Sequence, residues 1–555
     1  MPYFNCTEEI GNPDSVPEEL LGSKSQAGVV RSTSAADGVS SSRVTDSTGE
    51  SSQETFKSNY AKLPDYLKSC LDYSSIVSKR HPVEIGKVVR LLLAEGVIQD
   101  KPGDIMEVVA ANVVKELIDL GMLREVDDGS EVEVPASYLH LSILKLEKQD
   151  YVAKTANSPV RLAIRDDGRD IFPNVEGRLI RSLFIITAER RGYSSGSTGG
   201  LSRAYMRNVC GMRFLLVLDL DGKIVYLPDE VGDLIHLRYL GVVNSDVDEL
   251  PRTLGNLQKL QTLDIRMCGK LSKLPIEVVH IQQLRHLLMS KSIGDCEIRV
   301  PEGIGKMVNL HTLSGIYGGD GIARELSALT QIRHLGVKRV SEDHAGELFA
   351  AIEKMENLEP LSLEAEGCFF EETSPTLFPE LDAFSPPPLL QEFYLQGGLI
   401  EIPIWLASME NLTRLALSFS YLSESPTSAL QFLPKLKHLN LWQAYKAKQI
   451  GKEFRSAGGF PALETLKIAS EFLVEWTEIA TGAFPRLRSL RLQNISTLQE
   501  LYLGSMHPDL ARRLKGEDNY KIKHIPKLEF FLAPRNFILQ LEFMSRAFII
   551  RTVLL

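Results

Sequence analysis

Apolar positions recur down the last two thirds of the chain as Leu-x-x-Leu-x-Leu, at intervals of roughly two dozen residues. The copies begin at Leu215, Leu237, Leu260, Leu284, Leu310, Ile332, Leu358, Leu390, Leu412, Leu436, Leu463 and Leu487, with a degenerate one at Ile180. Each copy predicts a short strand and a return segment that cannot bury its apolar side alone, so stacked copies must share one continuous core. The fold class expected is α/β: a leucine-rich-repeat solenoid with a curved parallel sheet. In Leu237-Arg238-Tyr239-Leu240-Gly241-Val242, alternation sends Leu240 and Val242 inward and leaves Tyr239, Gly241 and Val243 facing out. Return segments such as Leu227-Pro228 to Leu234 carry a proline that stops the ladder and turns the chain.

Upstream the period changes. Leu67, Cys70 and Leu71 share one helical face, and Ile85, Val88, Val89 and Leu92 form a second stripe closed by Gly96. Ile105, Val108, Val109, Val113, Leu117 and Leu120 predict a third helix, closed by Gly121. Leu123 to Val126 and Val132 to Val134 then alternate around Asp128-Gly129, a hairpin signal. Three helices and a hairpin make a small helical winged-helix domain. Residues 1–56 form a Ser-rich leader too poor in apolar side chains to fold, so it is expected to be disordered. The organisation expected is therefore leader 1–56, winged helix 57–155, repeats 156–504 and a degenerate C-terminal end 505–555.

Charge narrows the partners. A net charge of -10 gives no electrostatic reason to bind nucleic acid or an anionic membrane. The second helix offers only Lys87 and Arg90 against Glu84 and Glu95, which argues against a DNA-reading helix. Six single cysteines, with no close pairs, point to a reducing interior, cytoplasm or nucleus. The apolar stretch from Leu528 is interrupted by Arg535, Glu542, Arg546 and Arg551 and broken by Pro534, so no membrane span is expected.

Two motifs carry a family likeness. Leu63-Pro64-Asp65-Tyr66-Leu67-Lys68-Ser69-Cys70 and Val89-Arg90-Leu91-Leu92-Leu93-Ala94-Glu95-Gly96-Val97-Ile98 resemble the winged-helix subdomain of the NB-ARC module in plant disease-resistance proteins. Leu71, Leu92 and Val97 depart from the family pattern but keep apolar packing. Ser385-Pro386-Pro387-Pro388-Leu389-Leu390 and Gly482-Ala483-Phe484-Pro485-Arg486-Leu487 are similar to that family's repeat region. The resemblance implies a role in plant defence and innate immunity, through recognition of a pathogen effector, a guarded host protein or a full-length relative. A generic leucine-rich-repeat adaptor or decoy scaffold without immune signalling is the alternative.

The family's nucleotide chemistry is not expected here. No Gly-x-x-x-x-Gly-Lys-Ser/Thr string exists to wrap phosphates, and Gly303-Ile304-Gly305-Lys306-Met307 lacks both the first glycine and the hydroxyl. The resemblance places His140, in Leu139-His140-Leu141, at the family's ADP-sensing histidine, with Leu141 where the acid stands. His140 is therefore expected to be vestigial: ADP or ATP binding is typical of the family, but the expectation is no cofactor, no metal, no catalytic residues and no enzyme activity. Binding is expected from outward strand residues, among them Tyr239, Tyr394, Arg414, His438, Trp442, Lys467 and Arg491, because aromatic and Arg side chains dominate interface hot spots.

Overall fold

The computed structural model describes residues 56–541 except 57, 78–81, 99–102, 127–128, 136–149, 154–159, 167–178, 188–200, 223, 291–297, 320, 368–375, 424, 451–458, 471, 477–484, 488, 494–499, 507–526 and 533–537. The leader and His140 lie outside the described residues.

The expected winged helix is present. Its helices are α1 (Asp65–Val77), α2 (Ile85–Glu95) and α3 (Met106–Asp119). Strand β1 (Val83–Glu84) joins the hairpin β2 (Arg124–Val126) and β3 (Glu131–Glu133) in an antiparallel sheet of order β1-β3-β2. Gly96 ends α2 at φ 76°, and the Gly96 and Val97 amides cap the last carbonyls of α2. One expectation needs correcting. In α3 the buried face is Ala110, Val114 and Leu117, while Ile105, Val108 and Leu120 are exposed. Leu117 of the expected stripe is buried and Val109 and Val113 pack against the core, but the buried face also takes in small Ala110, a contribution that counting large apolar residues misses.

The repeats follow as β4 (Asp150–Ala153), β5 (Val160–Asp166), β6 (Ile180–Thr187), β7 (Val217–Asp221), β8 (Tyr239–Val243), β9 (Thr262–Asp264), β10 (His286–Leu288), β11 (Thr312–Tyr317), β12 (His334–Val340) and β13 (Pro360–Ala365). Then come β14 (Glu392–Gln396), β15 (Arg414–Ser418), β16 (His438–Trp442), β17 (Gln449–Ile450), β18 (Thr465–Ala469), β19 (Glu475–Trp476), β20 (Ser489–Gln493), β21 (Glu500–Met506), β22 (Lys527–Leu532) and β23 (Ile538–Leu541). Sixteen of these form one sheet in chain order from β4 to β23, parallel except for the first pair. The remaining four, β17, β19, β21 and β22, form a smaller parallel sheet.

The anchor leucines explain this order. Leu237, Leu260, Leu284 and Leu310 are each 0% exposed, and burial of each contributes about 1.5 to 3 kcal/mol. Pro228, Pro251, Pro275 and Pro403 precede 3-10 turns at Asp229–Asp233, Arg252–Asn256, Ile276–His280 and Ile404–Ser408, where a residue without an amide hydrogen loses no bond. Other connections are helical: α4 (Arg203–Cys210), α5 (Ile322–Leu326), α6 (Glu342–Ile352) and α7 (Thr427–Leu430). Among the described residues no helix is long and apolar enough to cross a membrane.

Candidate recognition face

Strand register aligns the outward positions of the sheet into rows. One row runs Ser182, Val217, Tyr239, Thr262, His286, Thr312 and His334, and continues past Pro360 through Glu392, Arg414, His438, Thr465 and Ser489. The adjacent outward row passes through Asp219, Gly241 and Asp264 early on, and through Ser362, Tyr394, Ala416, Asn440, Lys467 and Arg491 later. The two halves of these rows have different neighbours.

On the early half sits the helical domain. Phe184, Val217 and Tyr239 belong to its apolar core, together with Leu67, Tyr73 and Leu91. Tyr239, expected among the exposed binding residues, is 0% exposed. It occupies an outward register position, but the helical domain covers it, so it is withdrawn as an open contact residue. Its hydroxyl donates to Asp264 Oδ2 at 3.3 Å.

The contact is also ionic. Lys87 Nζ lies 2.8 Å from Asp219 Oδ2, and Arg266 reaches Glu84 Oε2 at 2.6 Å while holding Asp264 through two bonds of 2.7 and 2.8 Å. Burial would raise the Glu84 carboxyl, but Arg266 and Arg90 outweigh it and bring the pKa down to about 2. Asp264 is likewise lowered, its burial overridden by Arg266. Burial pulls the Lys87 ammonium down, yet Asp219, Asp264 and Asp221 raise it on balance, and Asp219 is left the weakest acid of the group, raised by burial. At one margin Glu95 accepts from Arg161 Nε at 3.1 Å and from the Ser182 hydroxyl. At the other, Glu107 Oε1 lies 3.1 Å from Arg285 Nη1, 3.4 Å from His286 Nε2 and 3.5 Å from His311 Nδ1. Lys87 and Arg90, the cations weighed for a DNA-reading helix, are thus committed to carboxylates of this chain.

The later half is open. Tyr394, His438, Trp442, Lys467 and Arg491 are partly buried, and the Arg414 side chain is 13% exposed; none is packed in the core and none is free of neighbours. Register places Arg414 beside His438 and Lys467 beside Arg491, with Trp442 flanked by Ser418 and Ala469. Tyr394 donates to Glu392 Oε2 at 2.8 Å, and Arg414 Nε lies 3.7 Å from the same carboxylate. The expected binding residues other than Tyr239 therefore share one continuous face.

Sequence reasoning missed the docking residues Glu84, Glu107, Asp219, Asp264 and Arg266. The available signal was acidic side chains at outward strand positions opposite a helix carrying Lys87 and Arg90. The Gly303 to Lys306 turn also gains an explanation: the Gly303 and Gly305 amides donate to the Glu325 carboxylate at 3.2 and 2.7 Å, so an acid of this chain already holds them.

The model of the leucine-rich repeat region matches residues 201–530. Two putative disease resistance proteins of Arabidopsis thaliana are each 27% identical to the chain, over 517 and 521 residues, covering 85% of it and 53% and 54% of their own length. The chain spans about half the length of these curated relatives. Among solved structures, a leucine-rich-repeat protein of Leptospira interrogans is similar over 65% of this chain and 93% of its own, with 21% identity and a TM-score of 0.37.

Proposed function

We propose, from the premise that this chain belongs to the leucine-rich repeat region family and is a homologue of plant disease resistance proteins, that it acts in plant defence by recognising a protein partner on its later repeats. The observation that carries this reading is the division of a single register row. Its early members, from Ser182 through Tyr239, lie under the helical domain, whereas Arg414 and His438 on the same row lie beyond that domain and keep part of their surface exposed. A partner therefore meets the half of the sheet that begins near β13. There it finds Tyr394, Arg414 and Trp442, side chains that bury large area with few rotatable bonds or form planar charge-assisted bonds. The partner classes proposed are a pathogen effector, a guarded host protein or a full-length relative.

The test is affinity co-purification from infected and healthy plant tissue, using the full chain and Trp442→Ala. A hot-spot residue contributes about 2 kcal/mol or more, so the variant should lose roughly thirty-fold in affinity for the captured partner while its unfolding midpoint stays near wild type. Partners that bind regardless of every outward position from β14 to β20 would overturn the reading and favour a generic scaffold.

A further inference from the structure

Strand β16 carries two outward side chains whose polar groups have no partner among the described residues. Asn440 and Trp442 stand two positions apart on one side of the strand, both partly buried. Neither the Asn440 carboxamide nor the Trp442 indole N–H bonds any described residue, and neither is sealed from water. Their strand neighbours leave room. Ala416 and Lys467 lie beside Asn440, and Ser418 and Ala469 flank Trp442 on β15 and β18. Ala469 is 2% exposed, so it does not rise beside the indole, and no ring or cation of the described residues stacks on Trp442.

A rim of aromatic rings adjoins this strand. The Phe419 amide donates to the Trp442 carbonyl at 2.8 Å and the Tyr421 amide to the Gln443 carbonyl at 3.2 Å, which ties the end of β15 to the end of β16. The Phe419 and Tyr421 rings lie 6.3 Å apart, and Tyr421 meets Phe472 edge-on at 6.4 Å. Phe419 takes φ 53° and Tyr421 φ 48°, a left-handed backbone that aromatic residues adopt only at a cost and that clusters at ligand-binding sites. Lys446 Nζ lies 5.6 Å from the Tyr421 ring centroid, so one face of that ring already holds a cation. The rim is a wall, and Trp442 is the open platform.

The open groups of β16 are mostly donors: the indole N–H donates only, and the carboxamide offers two donors against one acceptor. A carboxylate satisfies the donors but has no apolar ring to cover the indole, and a cation covers the indole but accepts nothing. An ordinary extended strand brings an N–H with every carbonyl, so half of its groups meet other donors. A proline-rich segment in the polyproline II form matches both demands, because proline has no N–H, its carbonyls are unpaired, and its ring packs on aromatic side chains. The spacing agrees, since two strand residues span about 6.6 Å and two polyproline II residues about 6.2 Å. We propose that β16 binds a polyproline II segment of the protein partner, with a proline ring on Trp442 and carbonyls accepting from Trp442 Nε1 and the Asn440 amide. The inference deepens the recognition reading above and rests on it.

The experiment is fluorescence polarisation of three labelled peptides with the full chain: decaproline, a Gly-Ser repeat and an Asp-Gly repeat of equal length. Decaproline should bind saturably below about 1 mM, and the other two should not. Trp442→Phe keeps a ring and deletes the N–H, so it should weaken binding about three- to ten-fold, and Asn440→Ala should do the same. Trp442→Ala should abolish binding, with all three variants unfolding near the wild-type midpoint. Tighter binding of the Asp-Gly peptide, no binding of decaproline, or equal affinities of wild type and Trp442→Phe would each overturn the proposal. Failure of the broader reading looks different. A tissue partner lost on Trp442→Ala yet not displaced by decaproline would leave recognition standing and remove the proline segment, whereas decaproline binding without any tissue partner would support the site and remove the recognition reading.

Discussion

Replacing Lys87 by Met tests whether the ionic contact holds the helical domain on the repeats. The pair is close, 2.8 Å, and little exposed, with the Lys87 and Asp219 side chains at 15% and 7%. At an effective dielectric of 20, charges at that separation attract by about 6 kcal/mol, most of which offsets the desolvation of both groups. Removing the cation leaves the Asp219 carboxylate buried beside Asp221 and Asp264, and its Oδ1 has no other partner among the described residues. The expected cost is about 3 to 5 kcal/mol, the range for an uncompensated buried charge. Lys87→Met with Asp219→Leu should cost far less than the sum of the single variants, since apolar pairs of similar volume replace buried ion pairs with little loss. Urea unfolding at neutral pH across the four proteins of the cycle measures the coupling directly, and hydrogen exchange of the α1 to α3 amides locates it. In the Lys87→Met protein those amides should lose about two to four orders of magnitude of protection. A cost below about 1 kcal/mol for Lys87→Met, or additivity of the two single variants, would show that the Lys87–Asp219 pair does not hold the domain.

Further outcomes are expected. His286 is held uncharged, its pKa brought down to about 4 chiefly by burial, while its unfolded value is about 6.5. Below pH 6.5 the unfolded chain takes up a proton that the folded chain refuses, so stability should be full above that value and fall by up to about 1.4 kcal/mol per pH unit towards pH 4. The depressed carboxyl of Glu84 acts in a lower window, its contribution present above about pH 4.5 and lost as pH falls towards about 2. His334, lowered to about 4 by its own burial, adds a slope of the same sign in the same window, so urea midpoints from pH 7.5 to 4.5 should show both, and His286→Gln should remove about half of the slope; an unchanged slope refutes the assignment. Gly315→Ala should destabilise by about 2 to 4 kcal/mol, since the new Cβ meets Ser290 in a left-handed backbone, whereas Gly346→Ala, with open space in helix α6, should stabilise by about 0.5 to 1 kcal/mol. Equal midpoints for these two glycine variants in thermal unfolding would contradict both structural assignments.

The sequence by itself determined the repeat period, the inward leucines, the helices closed by glycine and the hairpin of the winged helix. Each of these is local: alternation within a strand and apolar spacing within a helix are written in adjacent residues. It also placed Tyr394, Arg414, His438 and Trp442 on the outward side, because alternation fixes direction. Direction is not exposure. Whether an outward residue meets solvent depends on what else packs there, and Tyr239 differs from Tyr394 only because a separate domain lies over it. That covering was decided by contacts between residues remote in the chain, such as Glu84 and Arg266, 182 positions apart. The bulge at Gly315 likewise shows itself only where β11 is aligned with β12, and which face of α3 is buried, Ala110 rather than Val108, depends on the elements packed against it. No local period encodes such meetings; only the folded chain brings their members into one place.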